Sequence, residues 1–200
     1  MLLQNQVIFL TGGSTGIGLD CAKAYAAEGA RVALVARNGD LAARAAADLG
    51  SEHLGFACDV AKDSEVQAAL ERVLAHYGKL DAIHNNAGIA TPSKALHDTS
   101  DEEWDQLFNI NLKSILHTTR HGLVALKKSQ GCILNTSSLV GVIGQSIHAA
   151  YTATKGAMNT LTKSMALDYA ADGIRVNAVC PAGTWTCLLY TSDAADEEDS

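Results

Sequence analysis

Proline is nearly absent, two in 200 residues, and no low-complexity or linker-like stretch interrupts the chain. Both absences argue against a second domain. No apolar run reaches the roughly 20 residues a membrane helix needs, so no membrane partner is expected. Positive charge is not in excess: 15 Lys and Arg stand against 22 Asp and Glu, a net charge of −7. That balance leaves no basic footprint for nucleic acid. The five cysteines (Cys21, Cys58, Cys132, Cys180 and Cys187) lack Cys-x-x-Cys or Cys/His metal spacing. No metal is expected, and free thiols in a reducing cytoplasm are the default. His84, His117, His121 and His148 also lack ligand spacing and are read as non-catalytic. Met1-Leu2-Leu3-Gln4 offers neither a basic n-region nor an apolar h-region, so no signal peptide is expected. What remains is ordinary for a globular protein, 48% hydrophobic and 18% charged, on a chain able to bury a proper core.

Short apolar runs punctuate the chain. Val7 to Leu10, Arg31 to Ala36, Leu54 to Cys58, Leu80 to His84, Gly131 to Asn135 and Ile174 to Val179 read as six strands. Helical patterns fall between them: Leu19–Glu28, Leu41–Leu49, Asp63–Tyr77, Asp101–Thr119 and Tyr151–Tyr169. Asp98-Thr99-Ser100 offers a cap for the fourth, which carries Asn111 in its body, and Asp40 is a candidate cap for the second. Strands alternating with helices predict an α/β fold, a doubly wound parallel sheet covered on both faces. In such sheets ligands bind at the carboxyl ends of the strands. The first glycine loop, Asp59, Asn86, Ser138 and Pro181 all fall just after strands.

Thr11-Gly12-Gly13-Ser14-Thr15-Gly16-Ile17-Gly18 joins the first strand to the first helix. A glycine loop in that place lets backbone N–H groups approach a phosphate seated on the helix N-terminus. Its spacing, Gly-x-x-x-Gly-x-Gly, differs from Gly-x-Gly-x-x-Gly, and no Gly-Lys-Ser/Thr closes it as a P-loop. The second strand ends Ala36-Arg37-Asn38. An acidic residue is expected about 20 residues past the glycines if a ribose 2′-hydroxyl is to be held. No carboxylate stands there to repel a 2′-phosphate, and Arg37 can pair with one. This favours NADP(H), with NAD(H) the alternative, since Thr15 stands where many NADP(H) users carry a basic residue. The other reading of Arg37 is a solvated loop charge.

Tyr151 and Lys155 are four apart on a helical stretch, hence neighbours on one face. Alone, a phenol titrates near pH ~10 and a lysine near ~10.4. A cation about 4 Å away at an effective dielectric of about 20 is worth roughly 4 kcal/mol, enough to bring the phenolate within reach of neutral pH. The pair is therefore a candidate acid/base. Tyr-x-x-x-Lys by itself is common; its company gives it meaning.

That company resembles the short-chain dehydrogenase/reductase family. Thr-Gly-x-x-x-Gly-Ile-Gly (11–18), Asn-Asn-Ala-Gly (85–88), Ser138, Tyr151-x-x-x-Lys155 and Asn177…Pro181 occur in the family's order over residues 5 to about 186. The resemblance implies a Rossmann-like three-layer fold with strand order 3-2-1-4-5-6. It implies an oxidoreductase interconverting a secondary alcohol and a carbonyl. Tyr151 would be general acid in reduction and base in oxidation. Lys155 would hold the nicotinamide ribose and depress the Tyr151 pKa. Ser138 would hydrogen-bond the substrate oxygen, and Asn111 would order the relay behind Lys155. Gly12, Ser14, Thr15, Gly16, Ile17 and Gly18 would hold the dinucleotide together with Arg37, Asp59 and Val60 at the adenine end. Asn86, Ala87 and Gly88 would line the ribose, and Pro181, Thr184 and Thr186 would meet the nicotinamide. The run 127–145 looks most like members acting on hydroxysteroids or free sugars, with Val140, Val142, Ile143 and His148 flanking the substrate. A full-length member is a homodimer or homotetramer. A nucleotide-binding regulator on the same scaffold is the alternative to an enzyme; intact Ser138, Tyr151 and Lys155 speak against it.

The chain departs from the pattern twice. Pro-Gly after the sixth strand is replaced by Pro181-Ala182-Gly183. From Cys187 the sequence Cys-Leu-Leu-Tyr-Thr-Ser-Asp-Ala-Ala-Asp-Glu matches the translation of a transposon adapter used in sequencing libraries. Residues 1–186 are accordingly read as one domain and 187–200 as a non-native tail. On this reading the family's last strand is missing and the sixth becomes an uncovered edge. The literal chain is then expected to be insoluble or inactive.

Overall fold

The computed structural model describes residues 1–91 and 93–184. Six strands form in it: β1 (Val7–Thr11), β2 (Arg31–Ala36), β3 (Leu54–Ala57), β4 (Ala82–Asn85), β5 (Cys132–Thr136) and β6 (Arg175–Val179). Every pairing is parallel and the order is β3-β2-β1-β4-β5-β6. The apolar runs form strands because both faces are covered. Along β1, Val7 and Phe9 enter one core cluster while Ile8 and Leu10 enter the other. Ala33 and Val35 of β2 do the same against Val32 and Leu34, as a period of two requires.

Helices α1 (Gly16–Ala27) and α2 (Gly39–Leu49) bury Ala22, Ala45 and Ala46 against one face. Helices α3 (Asp63–Tyr77), α5 (Ser114–Ser129) and α7 (Ala149–Tyr169) bury Val66, Leu70, Ile115, Leu126 and Met158 against the other. Between β4 and α5 lie α4 (Asp101–Phe108) and a π turn (Asn109–Lys113); α6 (Val140–Ile143) is a single turn.

Most elements match the sequence expectation to within a residue or two, α3 without shift. The first helix starts three residues earlier than expected, and the fourth departs most. It begins at Asp101, capped by Ser100 in a capping box with Glu103, but changes winding at Asn109 and then runs on to Ser129. The cap of α2 is Asn38, whose side chain accepts from Leu41 N at 3.0 Å, rather than Asp40, which sits inside the first turn.

A buried polar chain crosses this apolar interior. Thr118 donates to Asn85 Oδ1 at 2.7 Å, Asn85 Nδ2 to Asn135 Oδ1 at 2.9 Å, and Asn135 Nδ2 to Thr162 Oγ1 at 2.9 Å. It ties α5 through β4 and β5 to α7. His84, also buried, meets Thr136 Oγ1 at 2.8 Å through Nε2 and Tyr25 OH at 3.1 Å through Nδ1. Burial pushes its pKa down to about 4. Thr186 and residues 187–200 lie outside the described residues.

Candidate active site

The strand order reverses about β1, with β2 on one side and β4 on the other. A crevice opens at such a switch point beyond the strand ends. Here it is a cleft of about 1430 Å³. Thr11, the last residue of β1, anchors it: its Oγ1 accepts from Asn86 N and Ala87 N, each at 3.0 Å. Asn86 Nδ2 reaches back to Thr11 O at 3.2 Å and Gly12 O at 3.1 Å. The glycine loop is thereby clamped to the loop after β4. Gly12 holds φ +64°, and a Cβ there would stand 2.9 Å from Ala87 Cα. A Cβ at Gly18 would overlap Gly12 O. Both positions exclude any other residue.

Thr15 caps α1 in extended backbone, yet its side chain makes no capping bond and the first turn holds no acidic residue. The N-terminal N–H groups of α1 are thus left to a ligand, and they face the cleft. Close backbone approach and an unsatisfied helix N-terminus fit a pyrophosphate. Arg37, Asn38, Asp59 and Val60 line one end of the cleft. Asn86, Ala87, Gly88, Ser138, Tyr151 and Lys155 line the other, with Pro181 and Thr184 beside them. The structure so brings together the residues named from sequence, save four, two of which (Val142 and Ile143) are exposed off the cleft. Asn111 stands behind the wall, fully buried, and Thr186 is outside the described residues.

Asn111 sits on the π turn, a winding that frequently marks functional sites. Its Oδ1 accepts from Ile89 N at 2.8 Å, while Nδ2 donates to Ile89 O at 2.8 Å and Thr154 Oγ1 at 3.1 Å. Thr154 in turn donates to Tyr151 O at 2.7 Å. Lys155 is 4% exposed, and its ammonium donates to Thr136 O at 2.8 Å. Ile89, Thr136 and Thr154 were not named from sequence. Only Thr154, three residues after Tyr151, carried a signal, because i and i+3 share a helix face.

Burial is the largest influence on both members of the Tyr151–Lys155 pair. It pushes the Tyr151 phenol up, and a hydrogen bond with Ser138 draws it partly back. The Lys155 ammonium lies 5.7 Å from the ring centroid and is drawn toward the Thr136 carbonyl. Its own pKa is lowered by burial to about 8. At the mouth, His148 and Val140 line the cleft, but Val142 and Ile143 do not; both point to solvent, 67% and 70% exposed. Among the described residues no three His, Cys, Asp or Glu gather as a metal site, and no helix is long and apolar enough to cross a membrane.

The short chain dehydrogenase model matches residues 6–197. The chain belongs to the short-chain dehydrogenase family. It is 39% identical to a 3beta-hydroxysteroid dehydrogenase of Mediterraneibacter gnavus, over 94% of this chain and 70% of that protein. It is 40% identical to the cyclopentanol dehydrogenase of a Comamonas strain, over 90% and 73%. A bovine L-fucose dehydrogenase is 37% identical, over 92% and 67%. Among solved structures, the 3-ketoacyl-(acyl-carrier-protein) reductase of Brucella melitensis complexed with NADH superposes with a TM-score of 0.92 at 34% identity, covering 94% of this chain and 80% of that one. With family membership come an oxidoreductase scaffold of Rossmann type and a site for NAD(P).

Proposed function

We propose that the protein interconverts a secondary alcohol and a ketone or aldehyde with NADP(H), NAD(H) being the alternative. The observation that carries this is the meeting of Ser138, Tyr151 and Lys155 on one wall of a cleft whose floor is the glycine loop. Gly12, Ser14, Thr15, Gly16, Ile17 and Gly18 would hold the pyrophosphate. Arg37, Asp59 and Val60 would take the adenosine end, with the Arg37 guanidinium on a 2′-phosphate. Asn86, Ala87, Gly88 and Lys155 would hold the nicotinamide ribose, and Pro181, Thr184 and Thr186 the carboxamide. Bound there, the nicotinamide supplies the hydride in reduction and accepts it in oxidation.

The protein's own part is the proton. Tyr151 OH gives its proton to the substrate oxygen in reduction and takes it back in oxidation. The Ser138 hydroxyl donates to that same oxygen as charge develops on it. Because burial raises the phenol's pKa, the bare site stands in its acid form at neutral pH, ready for reduction. Asn111 acts at one remove, locking the loop at Ile89 and the Thr154 hydroxyl beside Tyr151. The substrate end mixes Leu139, Val140 and Ile147 with Ser93, Gln145 and His148. It suits a ring that is apolar on one side and oxygenated on the other, as sterols and sugars are. Residues 1–186 form the catalytic domain on this reading, and the full-length protein is a homodimer or homotetramer. Tyr151→Phe tests the core of it: turnover of an alcohol and ketone panel should fall by at least about 100-fold while NAD(P)H still binds. Turnover at the original rate refutes the proposal; a binder without catalysis would show no turnover to lose.

A further inference from the structure

His117 has no part in the chemistry above, yet it is 3% exposed and hydrogen-bonded through Nδ1. Its Nδ1 lies 3.0 Å from the Val60 carbonyl oxygen. A carbonyl only accepts, so Nδ1 carries the proton. Val60 and Asp59 sit on the loop after β3 and line the cleft. The other bonds of that loop run to the end of β2 or stay local. Cys58 N donates to Ala36 O at 2.9 Å and Lys62 N to Asp59 O at 3.0 Å. Ala61 N donates to Asp59 Oδ1 at 3.1 Å, and Asp59 N to Glu65 Oε2 at 2.8 Å. Among these, the bond from His117 is the one that ties the loop to α5 and the one made to the Val60 carbonyl. The far side of the ring makes no hydrogen bond. His117 Nε2 faces Asp63 Oδ1 at 4.0 Å, and the same oxygen takes Arg120 at 2.7 Å and His121 at 3.1 Å. Asp63 opens α3, the helix into which the loop leads.

We infer that His117 is a positioning residue for the adenine half of the dinucleotide: it pins the Val60 carbonyl to α5 and so sets the wall against which the base lies. This rests on the reading that Asp59 and Val60 take the adenine. An apolar side chain at 117 leaves a buried carbonyl without a donor, which the loop relieves by turning that carbonyl toward water and carrying Val60 off the wall. A histidine that merely filled the core would weaken every ligand and the fold alike. One that positions the wall weakens only ligands that carry adenine.

Titration calorimetry of the full chain with AMP, reduced nicotinamide mononucleotide and NAD(P)H separates the two. In His117→Leu, affinity for AMP and for the dinucleotide should fall about tenfold. Affinity for the mononucleotide and kcat at saturating cofactor should stay. His117→Asn, whose amide N–H takes the place of Nδ1–H, should restore AMP binding, whereas His117→Gln, reaching toward Nε2 instead, should not. Unchanged AMP affinity in His117→Leu overturns the inference, as does an equal loss for AMP and the mononucleotide. If His117→Leu does not fold, the Asn and Gln variants decide, and equal AMP affinities in those two overturn it. AMP that fails to compete with NAD(P)H on the unaltered chain breaks the adenine reading and the inference with it; AMP binding that His117→Leu leaves alone breaks the inference only.

Discussion

The buried ammonium of Lys155 makes a quantitative claim about stability. An ordinary lysine keeps its proton to 10.5, whereas burial lowers Lys155 to about 8 in the folded chain. Below about pH 8 both states carry the charge, and the folded state bears the cost of keeping it out of water. Between about pH 8 and 10.5 the unfolded chain binds the proton and the folded chain does not, so stability rises with pH across that window. A displacement of this size amounts to about 3 kcal/mol. Lys155→Met keeps the length and removes the charge. It leaves the Thr136 carbonyl without its donor, a loss of about 1 kcal/mol that does not vary with pH. Urea unfolding of both ligand-free proteins from about pH 7 to 10.5 should show wild type gaining about 3 kcal/mol on the variant between pH 8 and 10.5. Other groups titrate equally in both and cancel. Two parallel stability curves would refute the reasoning, because the ammonium would then be solvated in the fold.

Three further substitutions probe the cleft. Gly18→Ala places a methyl group 2.5 Å from Asn86 Nδ2 and into Gly12 O, so a loss of about 1–3 kcal/mol in unfolding experiments and of measurable dinucleotide binding is expected. Arg37→Ala should weaken NADPH by about tenfold or more and leave NADH unmoved in fluorescence titration; an equal effect on both would assign Arg37 to solvent. Asn111→Leu removes three hydrogen bonds and strands the N–H and C=O of Ile89, for which about 3 kcal/mol is expected by urea denaturation. A variant as stable as wild type would mean that the 89 loop finds other partners.

The fold was legible because its signals are local and repeated. Val7–Thr11 and Arg31–Ala36 are apolar on both faces, and only a doubly covered parallel strand wants that pattern. Turn chemistry and strand ends then carried Gly12, Asn86, Ser138 and Pro181 to a common edge. Features set by several distant residues were not legible. The π turn at Asn109–Lys113 carries Asn111 to Ile89 and Thr154, a fit that no periodicity encodes. The choice of Asn38 over Asp40 as cap depends on where the chain leaves β2. The spacing of Tyr151 and Lys155 put them on one helix face, but not the depth of burial that sends the phenol's pKa up and the ammonium's down. Desolvation is a property of everything packed around a group, and a linear sequence does not display it.

The amide pair in the interior has a consequence for how the chain finds its pairing. The aliphatic residues of β4 and β5 (Ala82, Ile83, Ile133 and Leu134) would by hydrophobic burial alone tolerate a shifted alignment; the polar ones would not. Asn85 and Asn135 are opposite partners in the observed one and satisfy each other there. A slip of either strand by one residue turns that strand's amide to the opposite face, breaks the Asn85–Asn135 bond and leaves buried amide groups unpaired, about 1–3 kcal/mol for each. Two asparagines thus act as a reading-frame mark for assembly, and replacing both with leucine should give a chain that collapses readily but populates misaligned sheets.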